Sequence, residues 1–190
     1  MDGRGTFLTV VGPSGAGKDT LIDAFRDELD EQAGPRFEFV RREITRAQDA
    51  GGEVHDAVSL ETFAERRRLG AYLLAWEAHG LGYAVPRRYE RILASGTHVI
   101  ANVSRSVISS ARSLMQPCGV ILVTAGEATL AERLRNRGRN SDGDLQDRLA
   151  RARAFTVSGS DVECVSNDGS LREGLDAFRR AVARLTERSA

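Results

Sequence analysis

The sequence predicts an α/β fold, a three-layer sandwich with a parallel sheet between helices, and three observations carry that prediction. Short apolar, β-branched runs recur at residues 6–12, 37–40, 98–103, 120–123 and 162–165. Helically periodic stretches separate most of them, the alternation that a parallel sheet requires. The first run leads directly into GPSGAGKDT, Gly12 to Thr20, which meets the pattern G-x-x-x-x-G-K at Gly12, Gly17 and Lys18.

The elements follow in order. TFLTVVG (Thr6 to Gly12) is apolar, β-branched and closed by glycine, and reads as a buried strand. In KDTLIDAFRDELDEQ, Leu21, Ile22, Phe25 and Leu29 fall on one helical stripe. Strand, glycine loop and helix are the context in which this motif counts as a P-loop. Further strands are expected at Phe37–Val40, His98–Val103 and Val120–Val123, with a shorter one at Val162–Val165. Helices are expected at Arg87–Ala94, Arg105–Leu114, Ala128–Arg135, Leu145–Phe155 and Leu171–Arg188. Two segments break the rhythm. Residues 43–85 are rich in polar and aromatic side chains and poor in core-strand signals, which suits a substrate-binding insert. Residues 136–147 are polar and glycine-containing between helices, which suits a lid. The expected organisation is one domain over residues 1–190, without internal repeats.

Composition narrows the function. The chain has 190 residues, 41% hydrophobic and 28% charged, as in a globular protein. Lys plus Arg balance Asp plus Glu at 27 each, so no net field draws nucleic acid. Nearly all the basic residues are Arg, suited to bidentate phosphate contacts but also what a GC-rich coding sequence produces by default. Cys118 and Cys164 are isolated and read as small core residues. His55, His79 and His98 lack metal-ligand spacing, so zinc is not expected. No apolar leader precedes Phe7, so the expectation is a cytoplasmic protein with neither membrane nor nucleic-acid partner. A homodimer is left open.

The loop predicts nucleotide chemistry. Gly12, Pro13, Ser14, Gly15, Ala16 and Gly17 bring backbone N–H groups toward phosphate oxygens at the start of a helix, and Lys18 reaches the outer phosphates. The position after the lysine, where a hydroxyl ordinarily ligates Mg²⁺, is Asp19, and Thr20 supplies a hydroxyl one residue later. A carboxylate is a hard ligand that suits Mg²⁺, so ATP and Mg²⁺ are the expected cofactors, with Asp19 on the metal. The alternative is a decayed loop in which Asp19 is a helix-opening acid.

Beyond the loop, the sequence resembles the guanylate-kinase-like branch of nucleoside monophosphate kinases over nearly its whole length. The matching stretches are GPSGAGK (Gly12–Lys18), ITR (Ile44–Arg46), VSLETF (Val58–Phe63), HGLGY (His79–Tyr83), RLRNRGR (Arg133–Arg139) and RL (Arg148–Leu149). The resemblance implies a guanylate-kinase-like P-loop fold with lid arginines at Arg137 and Arg148 and an acceptor-phosphate grip at Arg46 and Tyr83. The departures fall on base recognition. The guanine-reading glutamate position holds Leu74, and the hydroxyl that joins it falls on Val85. Another pocket arginine falls on Asp49, a tyrosine on His55, and a D-I-D strand motif on Asn102–Ser104. A guanine donor deprived of its charged acceptor forfeits about 1.5–3 kcal/mol, so GMP is expected to be a poor substrate.

Aspartate after the loop lysine, no guanine readout and NDGSL (Asn167–Leu171) together are similar to the ribose 1,5-bisphosphate phosphokinases. That resemblance implies ATP-dependent phosphorylation of ribose 1,5-bisphosphate to phosphoribosyl diphosphate in phosphonate breakdown. Lys18, Arg137 and Arg148, with Arg139 as an extra, would act on the transferring group. Arg46 and Tyr83 would hold the acceptor. Arg42 would help or stand as an exposed strand residue, His55 would touch phosphate or not, and Glu77 would meet ribose hydroxyls. Arg133 and Arg135 read as a solvated face, and Trp76 and Tyr72 as core. Asn167 and Asp168 read either as adenine neighbours or as a capped turn. A nucleoside monophosphate kinase, a non-catalytic guanylate-kinase-like binding module and a gluconate-type sugar kinase are the rival readings.

Overall fold

The computed structural model describes residues 3–29, 36–47, 54–136, 146, 149, 150, 152 and 156–188. The apolar runs become β1 (Phe7–Val11), β2 (Phe37–Phe39), β7 (His98–Asn102), β8 (Cys118–Thr124) and β9 (Val162–Ser166). They form a parallel five-stranded sheet in the order β2-β7-β1-β8-β9. All five residues of β1 are buried, as the continuous apolar run requires of a sheet covered on both faces.

The segment 43–85 corrects an expectation. It is strand-rich: β3 (Glu43–Ile44), β4 (Asp56–Ala57), β5 (Tyr72–Ala78) and β6 (Leu81–Pro86) make a second sheet in the order β4-β3-β6-β5. β3 and β4 are each a residue pair, too short for periodicity to register. β5 and β6 are joined through His79 (φ 52°) and Gly80 (φ 75°), the doubly positive backbone of a tight hairpin turn. Helix α2 (Leu60–Arg68) starts at Ser59, whose hydroxyl caps Thr62 N–H. It sets Phe63 against Tyr72 and Ala84, and so covers one face of this sheet.

Contacts divide the chain into two compact units. The first, Met1–Thr9 with Pro35–Cys118 and Ser189–Ala190, holds the second sheet, α2, α3 (Tyr89–Ala94), a 3₁₀ turn (Arg105–Val107) and α4 (Ile108–Leu114). The second, Val10–Gly34 with Gly119–Arg188, holds the glycine loop, α1 (Lys18–Leu29), α5 (Glu127–Asn136), β9 and α6 (Leu171–Glu187). Within it α1 buries Leu21, Ile22 and Phe25, and Phe25 meets Phe178 of α6 edge-on at 5.5 Å. Burying each of these large side chains contributes about 1.5–3 kcal/mol. Arg179 of α6 ties Glu28 of α1 at 2.7 Å on the exposed side.

The helix expected at 145–155 is described only at residues 146, 149, 150 and 152, all helical. Most of the expected lid, with Arg137, Arg139 and Arg148, lies outside the described residues. Among the described residues no helix is long and apolar enough to cross a membrane.

Candidate active site

The glycine loop is built by close approach. Gly12 has φ 153°, and a Cβ there would lie 2.1 Å from the Val123 carbonyl oxygen. Gly17 has φ 86°, and a Cβ there would lie 2.3 Å from Nδ2 of Asn167. Any larger residue would push the loop off β8 or off the start of α6. The turn closes with Ala16 N–H on the Pro13 carbonyl at 3.2 Å. Lys18, the single lysine of the chain, donates from Nζ to the carbonyls of Gly12 (2.8 Å) and Pro13 (3.1 Å). Its ammonium is thereby held inside the loop, where an anion would meet it.

Asp19 and Thr20 are exposed in the first turn of α1. Among the described residues no three His, Cys, Asp or Glu side chains group to hold a metal. One carboxylate beside a phosphate loop is how Mg²⁺ is ordinarily met, since it keeps waters and takes its remaining oxygens from substrate phosphates. The donor set therefore fits Mg²⁺.

The turn after β9 braces this loop. Asn167 is 6% exposed; its N–H donates to the Thr124 carbonyl, and its Nδ2 donates to the Ala16 carbonyl at 2.8 Å. Asp168 accepts from Gly126 N–H and from the Ser166 hydroxyl. Those donors, the Gly126 N–H foremost, hold its carboxyl below the usual range. Capping of α6 falls instead to Ser170 and Glu173, which form a reciprocal capping box. The Asn167 and Asp168 side chains thus each fasten a different loop. A cavity of about 140 Å³ opens beside Pro13, between Thr124, Ala125, Leu130 and Leu149.

Arg133 is a residue that sequence reasoning missed. It was expected on a solvated face, yet its Nη1 is buried without a hydrogen-bond partner and lies 3.6 Å from the position of a Cβ on Gly17. A buried guanidinium donor facing a phosphate loop is an orphan that an anion would satisfy. Its place in RLRNRGR, four residues before Arg137 in the sequence, was the available signal.

In the other unit, strand alternation assembles a second group of side chains. Trp76 and Tyr83 lie directly opposite in the β5–β6 register and stack at 5.5 Å and 8°. Ile44 pairs with Tyr83, and the Arg42 guanidinium two residues earlier sits over both rings, 5.7 Å from Trp76 and 5.5 Å from Tyr83. At 7% exposure Arg42 is a buried cation on an aromatic floor, not an exposed strand residue. The Tyr83 hydroxyl makes no hydrogen bond among the described residues. Arg46 lies beside His55, which is 1% exposed, and the Arg46 Nε is buried without a partner.

Glu77 does not join this group. It pairs with Gly82, on the face opposite Trp76 and Tyr83, and meets Arg67 of α2 at 3.3 Å. Alternation with period two puts a neighbour of Trp76 on the reverse side. That reverse face also carries Glu43, which accepts from the Tyr72 hydroxyl and Arg66, both at 2.7 Å. Burial and then the Glu43 carboxylate push the Tyr72 phenol upward. Leu74 and Val85, the two positions that the guanylate-kinase likeness assigns to base readout, face each other in the same register at 3% and 0% exposure. The place for a polar reader is a closed apolar pair.

Comparison with known proteins agrees with this geometry. A family model described as an AAA domain matches residues 7–157. The ribose 1,5-bisphosphate phosphokinase PhnN of Brucella melitensis biotype 2 (strain ATCC 23457) is 43% identical over 175 residues, covering 92% of this chain and 90% of that protein. The protein of the same name from Agrobacterium fabrum (strain C58 / ATCC 33970) is 42% identical over 166 residues, 87% and 90% of the two chains. Among solved structures, guanylate kinase from Anaplasma phagocytophilum superposes with a TM-score of 0.68 at 17% identity, over 97% of this chain and 87% of the other, which shows a shared fold. With relatives at 43% and 42% identity over most of its length, the chain belongs to the ribose 1,5-bisphosphate phosphokinase family of P-loop kinases.

Proposed function

We propose that this enzyme transfers the γ-phosphoryl group of ATP to the 1-phosphate of ribose 1,5-bisphosphate, giving ADP and 5-phosphoribosyl 1-diphosphate, the phosphonate-catabolism step implied by the family. One observation carries the acceptor half. The second sheet keeps cationic and hydroxyl groups for phosphate at Arg42, Arg46 and Tyr83, while the base-reading positions are the buried pair Leu74–Val85. A phosphorylated sugar without a base fits that combination; a nucleotide does not.

An oxygen of the acceptor phosphate attacks the γ-phosphorus, the bond from that phosphorus to the β–γ bridging oxygen breaks, and ADP carries the electron pair away. The nucleophile is already anionic, so the side chains need supply no general base, only position and charge. Lys18 leaves its two loop carbonyls for the β and γ oxygens, and the loop N–H groups receive the rest. Mg²⁺, held by Asp19, would neutralise charge on the β and γ oxygens. Arg133 donates its orphan N–H to the nucleotide, and the cavity beside Pro13 takes the base. Arg46 and Tyr83 orient the acceptor, with Arg42 behind them. Arg137, Arg148 and Arg139 are assigned by family position to the transferring group.

ADP release is measured with Mg²⁺–ATP and ribose 1,5-bisphosphate, GMP, AMP or no acceptor. Turnover with the sugar bisphosphate and little with either nucleotide is the expected result. Preference for a nucleotide would overturn the acceptor assignment and leave the donor loop standing. Asp19→Ala should raise the Mg²⁺ concentration needed for half-maximal rate; unchanged metal dependence would remove Asp19 from the metal.

A further inference from the structure

We infer that His55 is a positioning residue that acts on the acceptor through Arg46, with the hydrogen of its imidazole on Nε2. This rests on the reading of Arg46 as the acceptor grip. His55 stands where the guanylate-kinase likeness places a phosphate-contacting tyrosine, but it is 1% exposed and each of its ring nitrogens has a contact with Arg46. Nε2 lies 3.1 Å from the Arg46 carbonyl oxygen, and Nδ1 lies 3.5 Å from Arg46 Nη2, at the outer limit of a hydrogen bond.

Chemistry fixes the roles at both contacts. A carbonyl oxygen only accepts, so Nε2 bears the hydrogen. A guanidinium only donates, so Nδ1 presents its lone pair. A proton on Nδ1 would set N–H against N–H beside an arginine. The imidazole thus holds the Arg46 backbone at one end and the tip of its side chain at the other. Arg46 Nε is left buried and without a partner, a donor held ready for an anionic oxygen. Pre-setting a long, rotamer-rich cation in this way lowers the ordering cost at binding. His55 itself has no nitrogen left to offer a phosphate.

The tautomer is read on the unmodified chain by long-range ¹H–¹⁵N correlation of the imidazole rings. The chain has only three histidines, and His79→Gln and His98→Gln variants assign the remaining signals to His55. The Nε2–H pattern is expected; an Nδ1–H pattern, or a doubly protonated ring at neutral pH, would overturn the proposal.

Kinetics then test the route. His55→Phe should raise the acceptor KM on the order of tenfold, with kcat and the ATP KM within about twofold of wild type. His55→Asn keeps an acceptor near Nδ1 and His55→Gln a donor near Nε2, so each should recover part of the loss. In an Arg46→Ala background, His55→Phe should add nothing. A full additional rise there would show that His55 meets the acceptor independently, and would overturn the proposal. An Arg46→Ala variant with unchanged acceptor KM would instead remove Arg46 from the acceptor site, a separate failure in which this inference falls with its premise.

Discussion

The glycine loop and the second sheet, the regions to which the proposed function assigns phosphate binding, are built in opposite ways. The loop offers backbone: its geometry comes from glycines pressed against Val123 and Asn167, and its one charged side chain is folded back onto loop carbonyls. The sheet offers side chains: Arg42, Tyr83 and Trp76 reach one face because three short strands are in register, and Arg46 depends on a histidine. A backbone cradle recognises any polyphosphate, so relatives with different acceptors can share it. A side-chain face is altered one residue at a time. On the proposed function the pair Leu74–Val85 would be such a change, one that leaves the strands carrying it untouched.

The sharpest way to break this contrast is Lys18→Ala. It should lower kcat by about 10²–10³-fold while leaving the thermal melt and acceptor binding as they are; a matching loss of acceptor affinity would mean that the two regions do not act separately. Arg46→Ala is the converse. It should raise the acceptor KM roughly 10- to 100-fold, the worth of a hydrogen bond to a charged group, with the ATP KM unchanged. A rise confined to ATP would reverse the assignment.

Those two residues also mark how far the sequence could be read. Lys18 sits in a contiguous motif between a strand and a helix, and the whole loop was legible because its geometry is local. The central strands of the parallel sheet were legible because β1, β7 and β8 are largely buried apolar runs, while β2 and β9 at the edges are weaker signals with exposed residues. The second sheet was not: β3 and β4 are two residues each, and Glu77 reads as the pocket residue and Trp76 as core until alternation sends them to opposite faces. Family likeness pointed to Arg46 and Tyr83 but not to Arg133, whose unpaired N–H only packing reveals. Asn167 was visible as part of NDGSL, yet its bond to Ala16 joins residues 151 positions apart.

Smaller effects sharpen the donor side. Asn167→Ala should leave the Ala16 carbonyl without its partner and cost about 1–3 kcal/mol in unfolding free energy, with a higher ATP KM and an unchanged acceptor KM. Denaturant melts and initial rates measure both. The smallest effect concerns Asp168. Its carboxyl titrates below the usual value because Gly126 and Ser166 donate to it, so its stabilisation is present above the unfolded-state pKa and fades as the pH falls through the folded-state one. Wild type should be more stable than Asp168→Asn near neutrality, and the two should converge below about pH 4, toward the carboxylate's ordinary range. A gap that widened in acid would contradict the depressed titration.

The stacked aromatic pair beneath Arg42 has an optical consequence. Trp76 is the chain's single tryptophan, 7% exposed, with a phenol ring on one side and a guanidinium nearby. Its emission should therefore lie toward the blue and respond to whatever draws the cation away from the indole. An anionic sugar arriving at Arg42 and Arg46 would be followed by intrinsic fluorescence alone, without label or coupling enzyme.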